Sequence, residues 1–181
     1  TYTTQILQNS TPISSNEGFS SINFGDLSRI YFKEDESICY VPSYSRLPNE
    51  QLIETEKLGK GITTFSVDKD GMMTQIGKPV ETENPSFLIA SKDHKYLYST
   101  HEHTKGGVTA WKIDPQTYEL TKINTVYTDG HTCSLALNYE ENRLICSNYA
   151  GSSLALFEIR PDGGLIKIDT LQLRYVQLGP V

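Results

Sequence analysis

The chain has 181 residues, with 37% apolar and 21% charged residues and a formal net charge of −6. This length is enough for one domain with a buried core. The acidic balance, without a block of Lys or Arg, argues against a surface for nucleic acids or anionic lipids. No apolar run approaches the ~18 residues of a membrane-spanning helix. We therefore expect no nucleic acid and no membrane among the partners.

Cysteine usage indicates the compartment. The chain has an odd number of cysteines, Cys39, Cys133 and Cys146, and they show no CxxC spacing. This pattern is typical of reduced, buried thiols and of a cytoplasmic protein. The glycosylation sequon at Asn9 would matter only if the protein were secreted. Because the first residue is Thr1 rather than methionine, we expect the beginning to be processed or trimmed.

The first part of the chain divides into an arm and one repeat unit. Residues 1–27 are polar and rich in Ser, Thr and Asn, and predict an N-terminal arm with at most one strand. Residues 28–82 hold four strand-like runs, the last two being Gly61–Asp68 and Met73–Thr82 around an Asp-Gly turn. A polar insertion, residues 46–60, separates the second run from the third.

The second unit, residues 83–130, shows the pattern most clearly. Turn residues separate runs that are too short for helices and rich in β-branched and aromatic residues. The runs are Ser86–Ser91, Lys95–His101, Gly107–Ile113 and Leu120–Tyr127. Four such runs predict an antiparallel meander.

The pattern occurs three times. The segment SRIYFKEDESICYVPSYS of the first unit and LALNYEENRLICSNYAG of the third, residues 131–175, both align with SFLIASKDHKYLYSTHEH of the second. Residues 176–181 form a C-terminal end. A repeating four-stranded meander predicts an all-β fold of β-propeller blades, here an incomplete arc of a ring. A β-sandwich or barrel is the alternative, but these folds rarely repeat whole meanders.

Four segments resemble the lactonase family of seven-bladed propellers. They are GITTFSVDKDG, ENPSFLIASKDHKYLYSTHE, GGVTAWKID and SNYAGSSLALFEIRPDGGL, and the likeness covers about Cys39 to Leu173. The family includes bacterial 6-phosphogluconolactonases and fungal carboxymuconate-lactonizing enzymes. The resemblance implies a sugar-lactone hydrolase or, alternatively, a carboxymuconate-type lactonizing enzyme, and no cofactor.

The chain departs from the family pattern in two respects. At roughly 50 residues a blade, a seven-bladed ring needs about 350 residues, so three units leave the ring open. Where the family usually reads Pro-Cys-His, this chain reads Thr132-Cys133-Ser134, and the nearest histidine is His131. The family's histidine and arginine–glutamate catalytic group belongs to later blades.

Meander geometry predicts where a site would lie. Strand one starts, and strands two and four end, on the same face of each unit, so Asn84, Glu102, His131 and Asn148 should share one face. We predict Glu102, which matches the family's acid, and His131 as catalytic residues. We predict Asn84, His101 and Asn148 as substrate-binding residues. The Asn148 side chain could equally tie its loop to the neighbouring blade.

His101 and His103 have strand spacing and could hold a metal together. Because no further ligand is evident nearby in the sequence, we predict no metal site and interpret both as ordinary surface histidines.

Two functional hypotheses follow. In the first, the chain is part of a lactonase that takes a small sugar lactone or sugar acid as its ligand. In the second, it is a non-catalytic propeller module for assembly. In both, the open sides of the arc need cover, so we expect self-association or further blades from a longer chain.

Overall fold

The computed structural model describes residues 31–32, 37–45 and 59–173, and every described element is a strand. The strands, numbered in chain order, are β1 Tyr31–Phe32, β2 Ile38–Ser43, β3 Gly61–Val67, β4 Met73–Val80, β5 Leu88–Ala90, β6 Tyr96–Thr100, β7 Val108–Ile113, β8 Leu120–Val126, β9 Thr132–Leu137, β10 Arg143–Asn148, β11 Ser153–Ile159 and β12 Leu165–Gln172. No helix in these ranges is long and apolar enough to cross a membrane.

The strands form three four-stranded antiparallel sheets, β1–β4, β5–β8 and β9–β12, each in sequence order. The predicted all-β fold of meander blades is thereby confirmed. We call these sheets blades 1, 2 and 3. The predicted boundaries of all four strands of the second unit lie within two residues of the observed ones, and β5 begins at Leu88, two residues later than predicted. Just before β5, the hydroxyl of Thr100 accepts the backbone N–H groups of Ser86 and Phe87, so a side chain replaces ladder bonds there.

Alternation along the strands of blade 2 builds two cores. Leu97 and Trp111 face blade 1 and pack with its Tyr40 and Ile62. Their neighbours in sequence point the other way, as a strand requires, and join the core shared with blade 3. That second core contains Tyr98, Val108, Ala110, Leu135, Leu144, Cys146, Ala155, Phe157 and Leu165. Stacking of blades, rather than closure within one sheet, therefore buries the apolar side chains.

Polar contacts hold blades 2 and 3 together at their outer strands. The Asn124 side chain in β8 donates to the Leu165 carbonyl at 2.8 Å and accepts the Leu165 N–H at 3.0 Å. At the β5–β6 turn, the Lys92 N–H donates to the Glu141 carboxylate at 3.0 Å. Gly163 in the β11–β12 turn has φ of +81° and presses against the Tyr96 ring, so a side chain would not fit there.

Blade 3 turns an apolar side away from blade 2. Ile145 in β10, Ile166 in β12 and Leu171 in β12 are 38%, 47% and 58% exposed. Leu171 pairs with Leu154 and Ile145 with Leu156, so these side chains share one surface. We call this surface the open face of blade 3. Its composition is that of a blade-packing surface.

Some predictions fall on residues that the structure does not describe. The N-terminal arm, residues 1–27, lies wholly outside the described residues, as do most of the insertion 46–60 and the C-terminal end 176–181.

Candidate active site

The predicted face collects the loops that follow β2, β4, β6, β8 and β10. Backbone hydrogen bonds join these loops across blades 2 and 3. The His131 N–H donates to the His103 carbonyl at 2.7 Å, and the Thr132 N–H donates to the His101 carbonyl at 3.3 Å. The loop entering β9 therefore lies against the loop leaving β6, which brings His131 next to the segment that carries Glu102.

Asn84 is fully buried at the entry to blade 2. Its side chain accepts the Ser45 N–H at 3.1 Å and donates to the Glu102 carbonyl at 3.4 Å. Its φ is 41°, in the left-handed region that Asn tolerates better than most residues. The amide connects the end of β2 to the loop after β6. Its predicted substrate contact stays a prediction.

Asn148, 1% exposed, lies where blades 2 and 3 meet. Its Oδ1 accepts the hydroxyls of Thr128 at 2.9 Å and Thr132 at 2.7 Å, and its Nδ2 donates to the Ser153 hydroxyl at 3.1 Å. These bonds tie the end of β10 to the β8–β9 linker and to β9 and β11, and the two roles proposed for Asn148 from the sequence both stay predictions.

His101 is buried, with only 4% of its surface exposed, so its interpretation as a surface histidine is wrong. Its Nε2 lies 2.6 Å from the Thr109 hydroxyl, which in turn lies 2.7 Å from the Thr125 hydroxyl. Burial, assisted by the nearby His103, lowers the pKa of the His101 imidazole to about 4. The ring is therefore neutral at physiological pH.

Glu102 and His131 are both partly buried. The Glu102 carboxylate makes no hydrogen bond or ion pair among the described residues, while its backbone N–H is held by the Asn84 carbonyl at 2.9 Å. The His131 ring packs edge-on against Tyr149, with centroids 5.8 Å apart. The backbone is thus fixed and both side chains are available, which suits residues that act on a bound molecule.

Glu83 is a residue that the sequence prediction missed. Its carboxylate lies 3.0 Å from the His103 Nε2, without the alignment of a hydrogen bond. One potential ligand atom from each of Glu83, His101 and His103 lies within 4.8 Å of the other two. Glu83 directly precedes Asn84, so the rule that alternate strand ends share a face places Glu83 at this edge as well.

A polar cleft of about 420 Å³ opens beside this group. It is lined by Ser45, Gly59, Lys60, Glu81, Thr82 and Glu83. Another cavity, of about 490 Å³, lies on the opposite face between the β5–β6 and β7–β8 turns and is mostly apolar. The first is the nearer of the two to the predicted site, because its lining includes Glu83, the chain neighbour of Asn84.

The three cysteines are free thiols, with Cys39 and Cys146 buried and Cys133 half-buried. Burial raises the pKa of Cys39 to about 12 and that of Cys146 to about 11. Neither of these two is an activated nucleophile.

Sequence comparison finds relatives among lactonases. The chain is 34% identical over 119 residues to a 6-phosphogluconolactonase of Formosa agariphila, a match covering 63% of this chain and 34% of the relative. It is 28% identical over 109 residues to the 6-phosphogluconolactonase of Bacillus subtilis, covering 59% of this chain and 31% of that protein. The chain thus spans about a third of the length of these curated relatives.

Structure comparison finds the same fold. The periplasmic gluconolactonase of Pseudomonas aeruginosa superposes with a TM-score of 0.65 at 13% identity, covering 82% of this chain and 40% of that one. Identity this low supports the fold alone. The family model described as "Lactonase, 7-bladed beta-propeller" matches residues 38–180, as the resemblance of the repeat segments implied. With its three consecutive meander blades, the chain belongs to the seven-bladed β-propeller lactonase family.

Proposed function

We propose that the chain is part of a sugar-lactone hydrolase of the 6-phosphogluconolactonase type. The observation that carries the proposal is the hydrogen-bonded contact between the loop entering β9, which holds His131, and the loop leaving β6, which holds Glu102, in a chain of the lactonase family. The named 6-phosphogluconolactonase relatives support the choice of substrate class.

The proposed reaction is the hydrolysis of a lactone, assisted by a general base. Water attacks the lactone carbonyl, the ring C–O bond breaks, and the alkoxide that leaves takes up a proton to give the hydroxy acid. Glu102 or His131 accepts the proton of the attacking water as a general base. Backbone N–H groups and side-chain donors at the loop ends stabilise the oxyanion that forms.

The substrate would contact the cleft through its hydroxyl groups. Ser45, Lys60 and Thr82 offer donors there, and Glu81 and Glu83 offer acceptors. Lys60 is the cation in this lining and is exposed, so it is our candidate for the 6-phosphate of the substrate. Asn84 and Asn148 would then position the loops rather than touch the sugar.

A pH-stat assay tests the proposal. We expect the chain to open δ-gluconolactone and its 6-phosphate faster than the spontaneous rate, with the 6-phosphate preferred. Glu102→Gln and His131→Gln should each abolish the excess rate, whereas His94→Asn, on the opposite face, should keep it. A wild-type rate equal to the spontaneous one would sink the proposal for this chain.

A second candidate, an assembly module without activity, is favoured by one observation. The open face of blade 3 exposes Ile145 on β10 and Ile166 and Leu171 on β12, and another blade would cover such a surface. Blades from a longer chain, or a second copy of this one, are the partners we propose for it. Light scattering on an inactive but associating protein would support this candidate.

A further inference from the structure

The cluster of Glu83, His101 and His103, which we call the imidazole–carboxylate cluster, is assembled by strand pairing. Glu83 precedes β5, while the two histidines follow β6. Because β5 and β6 run antiparallel, the start of one lies beside the end of the other. Both segments of the cluster are therefore anchored to neighbouring strands of one sheet.

The two histidines have unsatisfied nitrogens. Among the described residues, the buried side-chain polar atoms without a hydrogen-bond partner are His101 Nδ1 and His103 Nε2. Buried polar atoms are almost always satisfied, and exceptions call for an explanation such as a bound ion. Both of these nitrogens belong to the cluster, and their lack of a hydrogen-bond partner is evidence separate from the residue types that the cluster contains.

The surroundings of His101 suit a metal ligand. His101 Nε2 lies 2.6 Å from the Thr109 hydroxyl; in the tautomer that carries its proton on Nε2 the lone pair is on Nδ1, and Thr109 can donate onward to Thr125 at 2.7 Å. Ligating histidines usually donate their other ring N–H in this way, which fixes the tautomer and the ring orientation. The low exposure of His101 adds to this rigidity.

We propose that the imidazole–carboxylate cluster binds one divalent first-row transition metal ion, with Zn²⁺ as the best fit. The ligands are His101 Nδ1, His103 Nε2 and a carboxylate oxygen of Glu83, with water completing the coordination. Two imidazoles and a carboxylate match Zn²⁺ and its neighbours, whereas Ca²⁺ and Mg²⁺ prefer oxygen ligands alone.

Metal binding changes one local hydrogen bond. The Lys105 N–H donates to His103 Nδ1 at 3.2 Å, which places the ring proton on Nε2 in the neutral ring. Coordination through Nε2 moves that proton to Nδ1, so the bond from Lys105 is lost. The bond is exposed and long, and its loss costs little compared with a metal–nitrogen bond. The inference does not depend on lactone hydrolysis.

Titration of the full chain with Zn²⁺, after treatment with a chelator and its removal, tests the proposal. We expect one equivalent to bind, and at least tenfold weaker binding in Glu83→Gln and His103→Gln. His94→Asn removes an imidazole from the opposite face and should bind like the wild type. Wild-type protein that takes up no stoichiometric metal, or unchanged affinity in both cluster variants, would overturn the proposal.

Two further measurements exclude a variant that merely misfolds and a site at a thiol. In wild-type protein, nitrogen NMR should show metal-dependent chemical-shift changes at His101 Nδ1 and His103 Nε2. The chemical shifts of the His94 nitrogens should not change. Shifts confined to other histidines would contradict the assignment. Cys133→Ser should leave the affinity unchanged, and loss of binding in this variant would transfer the metal to the half-buried thiol.

Discussion

Asn84 and His131 have the same backbone role in consecutive blades. Each stands just before the first strand of its blade, each has a left-handed φ, 41° and 37°, and each offers its carbonyl to a loop N–H, that of Glu102 or Tyr149. The equivalence shows which part of this position is structural, namely the turn. The imidazole of His131 is the part that differs, and it is only partly buried.

Substitution of Asn84 separates strain from hydrogen bonding. Asn84→Ala removes the bonds to Ser45 and Glu102 and forces Ala into a left-handed φ, so it should lower the free energy of unfolding by about 2–3 kcal/mol. Asn84→Gly loses the same bonds without the steric penalty and should cost about 1 kcal/mol less. Urea unfolding of both variants measures the difference. Equal losses would mean that the backbone relaxes out of the left-handed region in the alanine variant.

Removal of the Asn124 side chain should loosen blade 3 from blade 2. Asn124→Ala leaves the N–H and carbonyl of Leu165 without their partners, and we expect a loss of about 1–3 kcal/mol. Asn142→Ala, at an exposed turn, is the matched control and should stay within about 0.5 kcal/mol of wild type. Thermal and urea unfolding check both. A loss of the same size in the two variants would show that the interblade bonds of Asn124 contribute nothing particular.

The low pKa of His101 predicts a dependence of stability on pH. The unfolded chain protonates this ring near pH 6.5, but the folded chain only near pH 4. Between these values the unfolded state binds more protons, so the free energy of unfolding falls as the pH drops, by about 3 kcal/mol at most. Urea midpoints in metal-free buffer at pH 7, 5.5 and 4.5 measure the slope.

His101→Gln provides the reference for that slope. Glutamine keeps a donor for Thr109 but does not titrate, so the extra loss of stability below pH 6.5 should disappear, while the contribution of the carboxylates remains. Identical slopes in wild type and variant would show that His101 is accessible to protons in the folded state.

The open face of blade 3 predicts association. We expect the chain to be larger than a monomer in light scattering, and Leu171→Lys, which places a charge beside its β11 partner Leu154, to shift it toward the monomer. Met72→Lys, at an exposed position of the β3–β4 turn, should leave the mass unchanged. A monomeric wild type would contradict the expectation.

The sequence predicted the strands well because their patterns are local. Alternating apolar residues around Asp-Gly and similar turns determine a meander without reference to distant contacts, and three copies reinforce one another. Strand β5 begins two residues later than predicted because the Thr100 hydroxyl, 13 residues from Phe87, accepts the N–H groups of Ser86 and Phe87. A side chain that replaces a backbone hydrogen-bond partner produces no periodic pattern in a sequence.

The site was predicted as a location rather than as a set of contacts. The rule that alternate strand ends share a face brought Asn84, Glu102 and His131 to one edge, and the structure joins these loops by hydrogen bonds. The rule does not say how deeply a side chain is buried, so it did not predict that Asn148 is buried. It also did not pair Glu83 with His103, since a partner 20 positions away is visible only once β5 and β6 are in register.

The meander order has a consequence for how such a chain can be divided and rejoined. Every described strand pairs only with its neighbours in sequence, so a cut between Asp129 and Gly130, in the β8–β9 linker, severs no β-ladder of the described residues. The contacts that span that point include the bonds of Thr128 and Thr132 to Asn148 and the Asn124–Leu165 and Lys92–Glu141 bonds, together with the packed core. This linker is thus a suitable junction for circular permutation or for exchange of whole blades, provided that Thr128, Thr132 and Asn148 are kept together in the rearranged protein.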